Sequence, residues 1–164
     1  MSAPPRVYGI KAPVHLDYTY CAGQATSRFL TAVAEGRLVG QRCPECAKVY
    51  VPPRGSCPTC GVPTCEEVPV ADTGIVTTFC IVNIPFAGQA VRVPYVSASI
   101  LLDGADIPLF HLVQEIDAHD VRMGMRVQAV WLPPEEREPT MNSIRHFRPT
   151  GEPDAPFESY KEHL

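Results

Sequence analysis

The sequence lacks the features that mark several common classes of protein. No stretch approaches the roughly 18 to 20 uninterrupted apolar residues of a membrane-spanning helix, and residues 1–13 lack the apolar core of a secretory signal peptide. Basic residues are not in excess either. The formal net charge is −4 and the isoelectric point is about 5.7, which gives no general electrostatic reason to bind nucleic acid. We therefore expect a cytoplasmic protein that works neither in a membrane nor on a polynucleotide.

Known catalytic signatures are missing as well. The chain has no Gly-x-Ser-x-Gly, no His-Glu-x-x-His and no glycine-rich phosphate loop. His111 lies inside a predicted strand and is interpreted as an interior or interface residue rather than a general base. Burial in the most apolar strand should make the Cys80 thiol a poor nucleophile, and Asp103 and Asp106, which flank a turn, are expected to be solvated. We expect no catalysis by this chain alone.

Proline and cysteine, by contrast, are plentiful. The 18 prolines in 164 residues are about double the usual share, and they favour short strands and turns over long helices. A chain of this length has room for one core and a small stapled module. The seven cysteines are an odd number, and in a reducing compartment paired cysteines favour metal binding over disulfides.

Four of the cysteines form two Cys-Pro-x-Cys units, Cys43 to Cys46 and Cys57 to Cys60, with ten residues between them. Each unit turns tightly enough to aim two sulfurs at one point, so the pair predicts a tetrahedral four-sulfur zinc site. A closed shell of this kind leaves no position for a substrate, so the metal should be structural. The alternatives are a redox Cys-x-x-Cys, which needs a thioredoxin-like context that is not found here, and an iron site of rubredoxin type.

The residues after the two units differ. The turn after the second cysteine favours a positive φ, which Gly61 supplies after Cys60, whereas Ala47 must adopt it with a Cβ after Cys46. Cys65 lies outside any Cys-x-x-Cys turn and is the poorer ligand candidate. Cys21, Cys65 and Cys80 are expected to be buried or inert thiols.

Apolar residues recur at helical spacing from Ala22 to Glu35, and Gly36 stands where a helix would end. The pattern predicts one amphipathic helix after an extended N-terminal arm. Two interpretations of its apolar face stay open. It packs against its own domain, or Phe29, Leu30 and Val33 dock on another subunit, because a zinc ribbon offers little core to bury them.

After Glu67 the pattern becomes that of a β protein. Five strands are predicted, over residues 74–84, 95–102, 107–114, 126–132 and 143–147. Short connections make them antiparallel, and five such strands suit a closed barrel of the OB-fold type better than a flat sheet with exposed edges. The predicted fold is mainly β: an N-terminal helix, a rubredoxin-like zinc ribbon and a five-stranded antiparallel OB-fold barrel.

The division expected along the chain has four parts. Residues 1–37 form the arm and helix, residues 38–66 the zinc ribbon, residues 67–149 the OB-fold domain, and residues 150–164 a C-terminal tail with little to bury. Basic residues concentrate near the ribbon at Arg42, Lys48 and Arg54. These side chains either lie in a solvated loop or contact an anion, for example a phosphate.

This order of parts resembles the zinc-ribbon OB-fold proteins that accompany thiolases and related acyl-CoA enzymes. The likeness spans about residues 20 to 150, and the order of its short motifs makes it specific. Those motifs are Gly36-Arg37-Leu38, Cys43-Pro44-Glu45-Cys46, Pro52-Pro53-Arg54, Cys57-Pro58-Thr59-Cys60-Gly61, Gly74-Ile75-Val76, Pro94-Tyr95-Val96, Val121-Arg122-Met123-Gly124-Met125-Arg126-Val127 and Phe147-Arg148-Pro149. Ala47 departs from the glycine usual in the first unit.

The resemblance implies a non-catalytic subunit beside a thiolase-like enzyme, such as a thiolase or a sterol side-chain aldolase, in lipid or steroid degradation. It also implies a ribbon near the CoA entrance, which would give Arg42 and Arg54 a phosphate-binding role. Two other functions remain: a stand-alone acyl-CoA binding protein and a single-stranded nucleic-acid-binding module. CoA binding without a partner would indicate the first of these, and salt-sensitive single-strand binding the second.

Overall fold

The computed structural model of the chain describes residues 6, 8, 9 and 14–164, so most of the predicted N-terminal arm lies outside the described residues. It contains one α-helix, α1, and eight strands, β1 to β8. In chain order they are α1 Gly23–Ala34, β1 Leu38–Arg42, β2 Val49–Tyr50, β3 Glu66–Val70, β4 Thr73–Val82, β5 Tyr95–Leu102, β6 Leu109–Val113, β7 Arg126–Trp131 and β8 Ile144–Pro149. Short 3-10 turns occupy Ala118–Asp120, Pro134–Glu136, Met141–Ser143, Phe157–Ser159 and Lys161–His163. Within the described residues, no helix has the length and apolar character needed to cross a membrane.

Helix α1 ends as its sequence predicts. Gly36 has φ +76°, and its N–H donates to the carbonyl of Val33 at 3.0 Å while the N–H of Arg37 donates to that of Ala32 at 2.9 Å. This pair of bonds closes the helix. It requires a left-handed residue at position 36, a conformation that glycine adopts without a Cβ penalty. The chain then enters β1 at once.

The apolar face of α1 packs against the protein's own core. Phe29 and Val33 are 1% and 0% exposed, and Leu30 packs against the same cluster while partly exposed. The interpretation that Phe29 and Val33 dock on another subunit is therefore wrong. The helix has a core to cover because the buried cluster runs continuously from the ribbon strands into the barrel.

The ribbon is built on a three-stranded antiparallel sheet in the order β2-β1-β3. Its third strand, β3, was not predicted, since it begins with two glutamates and contains a proline. Leu38 of β1 pairs with Val70 of β3, and the pairing runs on to Arg42 and Glu66. Gly40 allows the neighbouring strand to approach closely, because a Cβ at this position would lie 2.5 Å from Cγ1 of Val49.

The second sheet is a closed barrel in the order β4-β5-β6-β8-β7, which confirms the OB-fold prediction. One detail differs: β6 and β8 pair in parallel, through Val113 and Phe147, while the other pairs are antiparallel. A short connection cannot join two parallel neighbours. Here the connection from β6 to β8 is long and includes β7. The barrel is filled by inward-facing aliphatic residues and Phe147.

Strand β4 pairs with two neighbours and contains an irregularity. Its first residues pair with β7 and residues 74–82 pair with β5, with a bulge between Val76 and Thr78. Gly74 is required near its start, because a Cβ there would lie 2.5 Å from the carbonyl oxygen of Leu101. Bulges and glycines are the usual means by which a strand turns a barrel corner.

Asp103 and Asp106 were expected to be solvated turn residues, but each carboxylate makes specific hydrogen bonds within the protein. Asp103 accepts two hydrogen bonds from Arg126, at 2.7 and 2.6 Å, and another from the hydroxyl of Thr73. Arg126 holds the pKa of Asp103 below its ordinary value. Turn residues are solvated by default, but here the strands on either side bring a cation and a hydroxyl to the same place.

Asp106 joins the barrel to the ribbon. Its carboxylate accepts a hydrogen bond from the N–H of Val49 at 2.8 Å, and its own N–H donates to the carbonyl of Val49 at 2.9 Å. This pair of bonds satisfies both backbone groups of a β2 residue. The β5–β6 connection of the barrel thereby fixes the ribbon in position.

The C-terminal segment also packs on the barrel. Tyr160 is 4% exposed, and the His163 ring nitrogen Nδ1 lies 2.8 Å from the carbonyl oxygen of Asp106. Most of residues 150–164 are nevertheless exposed, so the segment buries little beyond Tyr160 and is held on the barrel at a few points. The sequence gives little sign of this packing, because the segment has no apolar period.

Replacing Asp106 by alanine should loosen the ribbon from the barrel. The change leaves the Val49 N–H without its acceptor, and losses of this kind cost about 1 to 2 kcal/mol of the free energy of unfolding. Urea denaturation of the purified protein measures the loss. Asp106→Asn keeps an oxygen acceptor and serves as the matched control, so equal destabilisation by both variants would contradict a role for this hydrogen bond.

Candidate metal centre

The two Cys-Pro-x-Cys units fold into near-identical turns. In the first, the N–H of Ala47 donates to the carbonyl of Cys43 at 3.0 Å, and in the second the N–H of Gly61 donates to that of Cys57 at 2.8 Å. In each turn the N–H of the second cysteine also points at the sulfur of the first, at 3.5 Å from Cys46 and 3.4 Å from Cys60. Backbone N–H groups directed at sulfur stabilise the thiolate form that a metal requires.

The left-handed residue after each turn is present in both units. Gly61 has φ +71° and Ala47 has φ +61°. Ala47 therefore adopts the conformation required of it, as predicted, despite its Cβ. The first unit keeps the geometry of the second at some cost in backbone strain.

The four sulfur atoms converge on one point. They all lie within 4.8 Å of one another, and the Sγ atoms of Cys46 and Cys57 are 3.7 Å apart. Bonds of about 2.3 Å to a tetrahedral zinc ion would place the sulfurs about 3.8 Å apart. Among the described residues no other group of cysteine, histidine and acidic side chains meets in this way, and Cys65 stays outside the cluster. The cysteines fit zinc.

The electrostatics of the cluster favour a bound cation over four thiolates alone. The Tyr50 hydroxyl lies 3.2 Å from the sulfur of Cys57 and lowers the pKa of that thiol to about 6. The contact with Cys46 raises the pKa of Cys60 to about 12. Adjacent thiolates repel each other, so four of them share this space only when a dication balances their charge.

Burial closes the inner side of the site. Cys43, Cys57 and Tyr50 are each 1% exposed, while Val62 and Ile107 pack against them. Ile107 comes from the barrel, so the barrel covers part of the metal site. Four sulfurs complete a tetrahedral shell without an open position, which is the arrangement of structural zinc sites rather than catalytic ones.

The three remaining cysteines were expected to be buried or inert. Cys21, Cys65 and Cys80 are all exposed, so burial is wrong for each of them. Cys80 lies between Phe79 and Ile81, which pack against the core. Because successive side chains of a strand point to opposite faces, the sulfur of Cys80 faces outward.

The two arginines predicted to contact CoA have different surroundings. Arg42 Nε lies 3.7 Å from a carboxylate oxygen of Glu66, and its guanidinium also reaches the carbonyl of Ala47 at 3.4 Å. Arg54 is exposed and its guanidinium lies over the Tyr50 ring, 5.9 Å from the ring centroid. Among the described residues, no carboxylate oxygen lies within ion-pair distance of the Arg54 guanidinium.

Two histidines take structural positions. His111, which was interpreted as an interior or interface residue, is half-buried, burial lowers its pKa, and its ring makes an edge contact with Phe147. His146 is 6% exposed and lies 2.8 Å from Glu115, whose backbone is left-handed with φ +61°. This His146–Glu115 pair had no signal in the sequence, because 31 residues separate its members.

These features define a class: a closed four-cysteine ribbon joined to a five-stranded OB-fold barrel. Two protein-family models match in the same order. One, described as the rubredoxin-like zinc ribbon domain of ChsH2, matches residues 30–66. The other, described as the C-terminal OB-fold domain of ChsH2, matches residues 67–132. The chain belongs to the ChsH2 family of zinc-ribbon and OB-fold proteins, which confirms the family resemblance.

Two curated relatives are similar in sequence. A DUF35 domain-containing scaffold protein of Methanocaldococcus jannaschii is 36% identical over 96 residues, which are 57% of this chain and 67% of that protein. A probable enoyl-CoA hydratase alpha subunit of Thermomonospora curvata is 33% identical over 118 residues, which are 72% of this chain. The match spans only 35% of that subunit's length.

Two solved structures share the fold. A chain of the Ltp2-ChsH2(DUF35) aldolase is 29% identical with a TM-score of 0.60, and the match covers 77% of this chain and 95% of that one. A DUF35-family protein of unknown function from Sulfolobus solfataricus is 18% identical with a TM-score of 0.57, over 77% of this chain and 84% of that one. At that identity the second match bears on the fold alone.

Replacing a cysteine of the cluster should remove the metal and unfold the ribbon. We expect Cys43→Ser and Cys60→Ser to bind almost no zinc and to lose ribbon structure, because the free energy of metal binding is also free energy of folding. Elemental analysis and circular dichroism measure the two effects. Cys65→Ser, a change of the same kind outside the cluster, should retain the metal. Full zinc content in Cys43→Ser would contradict the assignment.

Proposed function

We propose that this chain is a non-catalytic subunit that pairs with a thiolase-like enzyme, a thiolase or a sterol side-chain type of aldolase, acting on acyl-CoA. The observation that carries the proposal is the similarity to a chain of the Ltp2-ChsH2(DUF35) aldolase, which extends over 95% of that chain. The similarities to a scaffold protein and to an enoyl-CoA hydratase subunit agree with it. In this role the chain helps to assemble the complex and to bind the CoA moiety.

The chemistry of the described residues supports a subunit without its own reaction. The four clustered cysteines, assigned here as the zinc ligands, leave no open metal position. The carboxylate of Asp103 is engaged by Arg126 and that of Glu115 by His146. These two carboxylates, which could otherwise act as a base, are thus engaged in holding the fold.

Nucleic-acid binding receives little support. The net charge is −4, and on the described barrel strands Phe110 is the one large hydrophobic residue that is exposed. Single-strand binding barrels stack successive bases on several aromatic residues along a basic groove. A stand-alone acyl-CoA binding protein remains the alternative to a subunit.

Within the complex we assign a phosphate-binding role to Arg54, with Arg42 as the weaker candidate. Arg54 lies on the turn between the two cysteine units, and the Tyr50 ring beneath it orients the guanidinium without neutralising its charge. Arg42 already faces Glu66, so part of its charge is compensated. A guanidinium free of a carboxylate is the better donor to a phosphate.

Co-purification from the native host tests the proposal directly. We expect the tagged chain to bring down a polypeptide that mass spectrometry identifies as a thiolase-fold enzyme, and the pair to turn over acyl-CoA at least about tenfold faster than either part alone. The isolated chain should be inactive. Turnover of a thioester by the isolated chain, or recovery of the chain as a solitary monomer that binds CoA, would contradict a subunit role.

Replacing Arg54 by alanine should weaken the use of acyl-CoA by the assembled pair. A lost charge-assisted contact to phosphate corresponds to roughly a fivefold higher KM, or about 1 kcal/mol. Steady-state kinetics at low and high salt measure the effect, which should shrink as salt screens the charge.

Arg145→Ala removes the same charge from an exposed position on β8 and serves as the control. An Arg54→Ala variant with the KM of the Arg145→Ala variant would exclude Arg54 from the CoA site without touching the subunit proposal.

A further inference from the structure

The segment before α1 exposes an unusual concentration of large apolar side chains. Val14 is 88% exposed, Leu16 74%, and Tyr18 and Tyr20 72% each. Single exposed apolar residues are ordinary, but a contiguous row of them marks an interaction surface. We call residues 14–20 the arm strand.

The row has the period of a β-strand. The four apolar residues alternate with His15, Asp17 and Thr19, and in an extended chain such alternation places the two sets on opposite faces. The observed contacts agree with this. The rings of Tyr18 and Tyr20 have centroids 6.3 Å apart, and His15 Nε2 lies 2.7 Å from the carboxylate of Asp17.

The backbone of the arm strand is unpaired. Residues 14–20 belong to no helix or strand, and no backbone hydrogen bond within the described part of the chain involves them. An extended segment with one apolar face and free N–H and C=O groups is the form that adds to the edge of a sheet in another molecule.

Three edges of the chain are poor acceptors for such a strand. The outer edge of β3 carries Glu66, Glu67 and Pro69, and charges and proline at an edge oppose pairing. In β2, the backbone groups of Val49 are already satisfied by Asp106. The far half of β4 follows a bulge, which twists an edge away from added strands. At these edges the chain is a poor acceptor, so a second copy could receive the arm strand only at the β6 edge beside Phe110, where β6 meets β8 through Val113 alone.

We propose that the arm strand adds to an open sheet edge of the thiolase-like subunit, with Val14, Leu16, Tyr18 and Tyr20 facing an apolar surface beside that edge. This inference rests on the proposed function for the identity of the partner. It adds the mode of attachment: backbone hydrogen bonds supply the pairing, and the alternate side chains select the edge. His15, Asp17 and Thr19 remain on the solvent side.

The test compares two double variants of the full chain in binding to the identified thiolase-fold partner. Leu16→Ser with Tyr18→Ser changes the apolar face, and the matched control, His15→Ser with Thr19→Ser, changes the opposite face. We expect the first to raise Kd at least about tenfold and the second less than about twofold. Neither should alter the thermal unfolding of the isolated chain, because the arm strand makes no contact that the core requires.

Amide hydrogen exchange by NMR then distinguishes strand addition from loose apolar contact. In the complex, every second amide of residues 14–20 should exchange slowly, since alternate N–H groups of an added strand point at the acceptor edge. Equal Kd values for the two variants, uniform fast exchange in the complex, or a homodimer of the isolated chain that the apolar-face variant abolishes would overturn the inference. Failure of the unaltered chain to bind any thiolase-fold enzyme would instead overturn the proposed function on which it rests.

Discussion

Four sulfur atoms that meet at one point are the constraint on which the ribbon depends. Around the metal site the buried cluster consists only of Cys43, Tyr50 and Cys57 with two partly buried neighbours, which is too little apolar surface to hold the two cysteine turns together. A tetrahedral ion replaces that missing core, because it joins two turns that are distant in sequence and balances thiolates that would otherwise repel. The turn that carries Arg54 lies between these two cysteine turns and is held in place by them.

The barrel makes the ribbon a fixed surface rather than a separate finger. Ile107 covers the metal cluster, Asp106 binds both backbone groups of Val49, and α1 packs across ribbon and barrel in one continuous core. The proposed role, in which a turn of this subunit meets another protein's substrate, needs this rigidity, since the geometry of the contact then does not have to be formed on binding. The same continuity means that damage to the metal site reaches the barrel.

Much of the fold could be predicted because its signals are local. The Cys-x-x-Cys turns, the glycine that ends α1 and the β-branched runs of the barrel each depend on a few neighbouring residues. The parts that could not be predicted depend on distant contacts. Strand β3 exists because β1 offers it a pairing edge, despite Pro69 and two glutamates. Asp106 binds Val49 across 57 residues, and the exposure of Cys80 follows from which face of β4 meets the core. The candidate metal site was readable in sequence, whereas the surroundings of Arg42 and the His146–Glu115 pair were not.

Zinc K-edge X-ray absorption of the purified, undamaged protein tests the central claim most directly. The account predicts four sulfur neighbours at about 2.3 Å and no nitrogen or oxygen in the inner shell. A protein without metal, or a spectrum that requires an oxygen or nitrogen ligand in place of a sulfur, would contradict it.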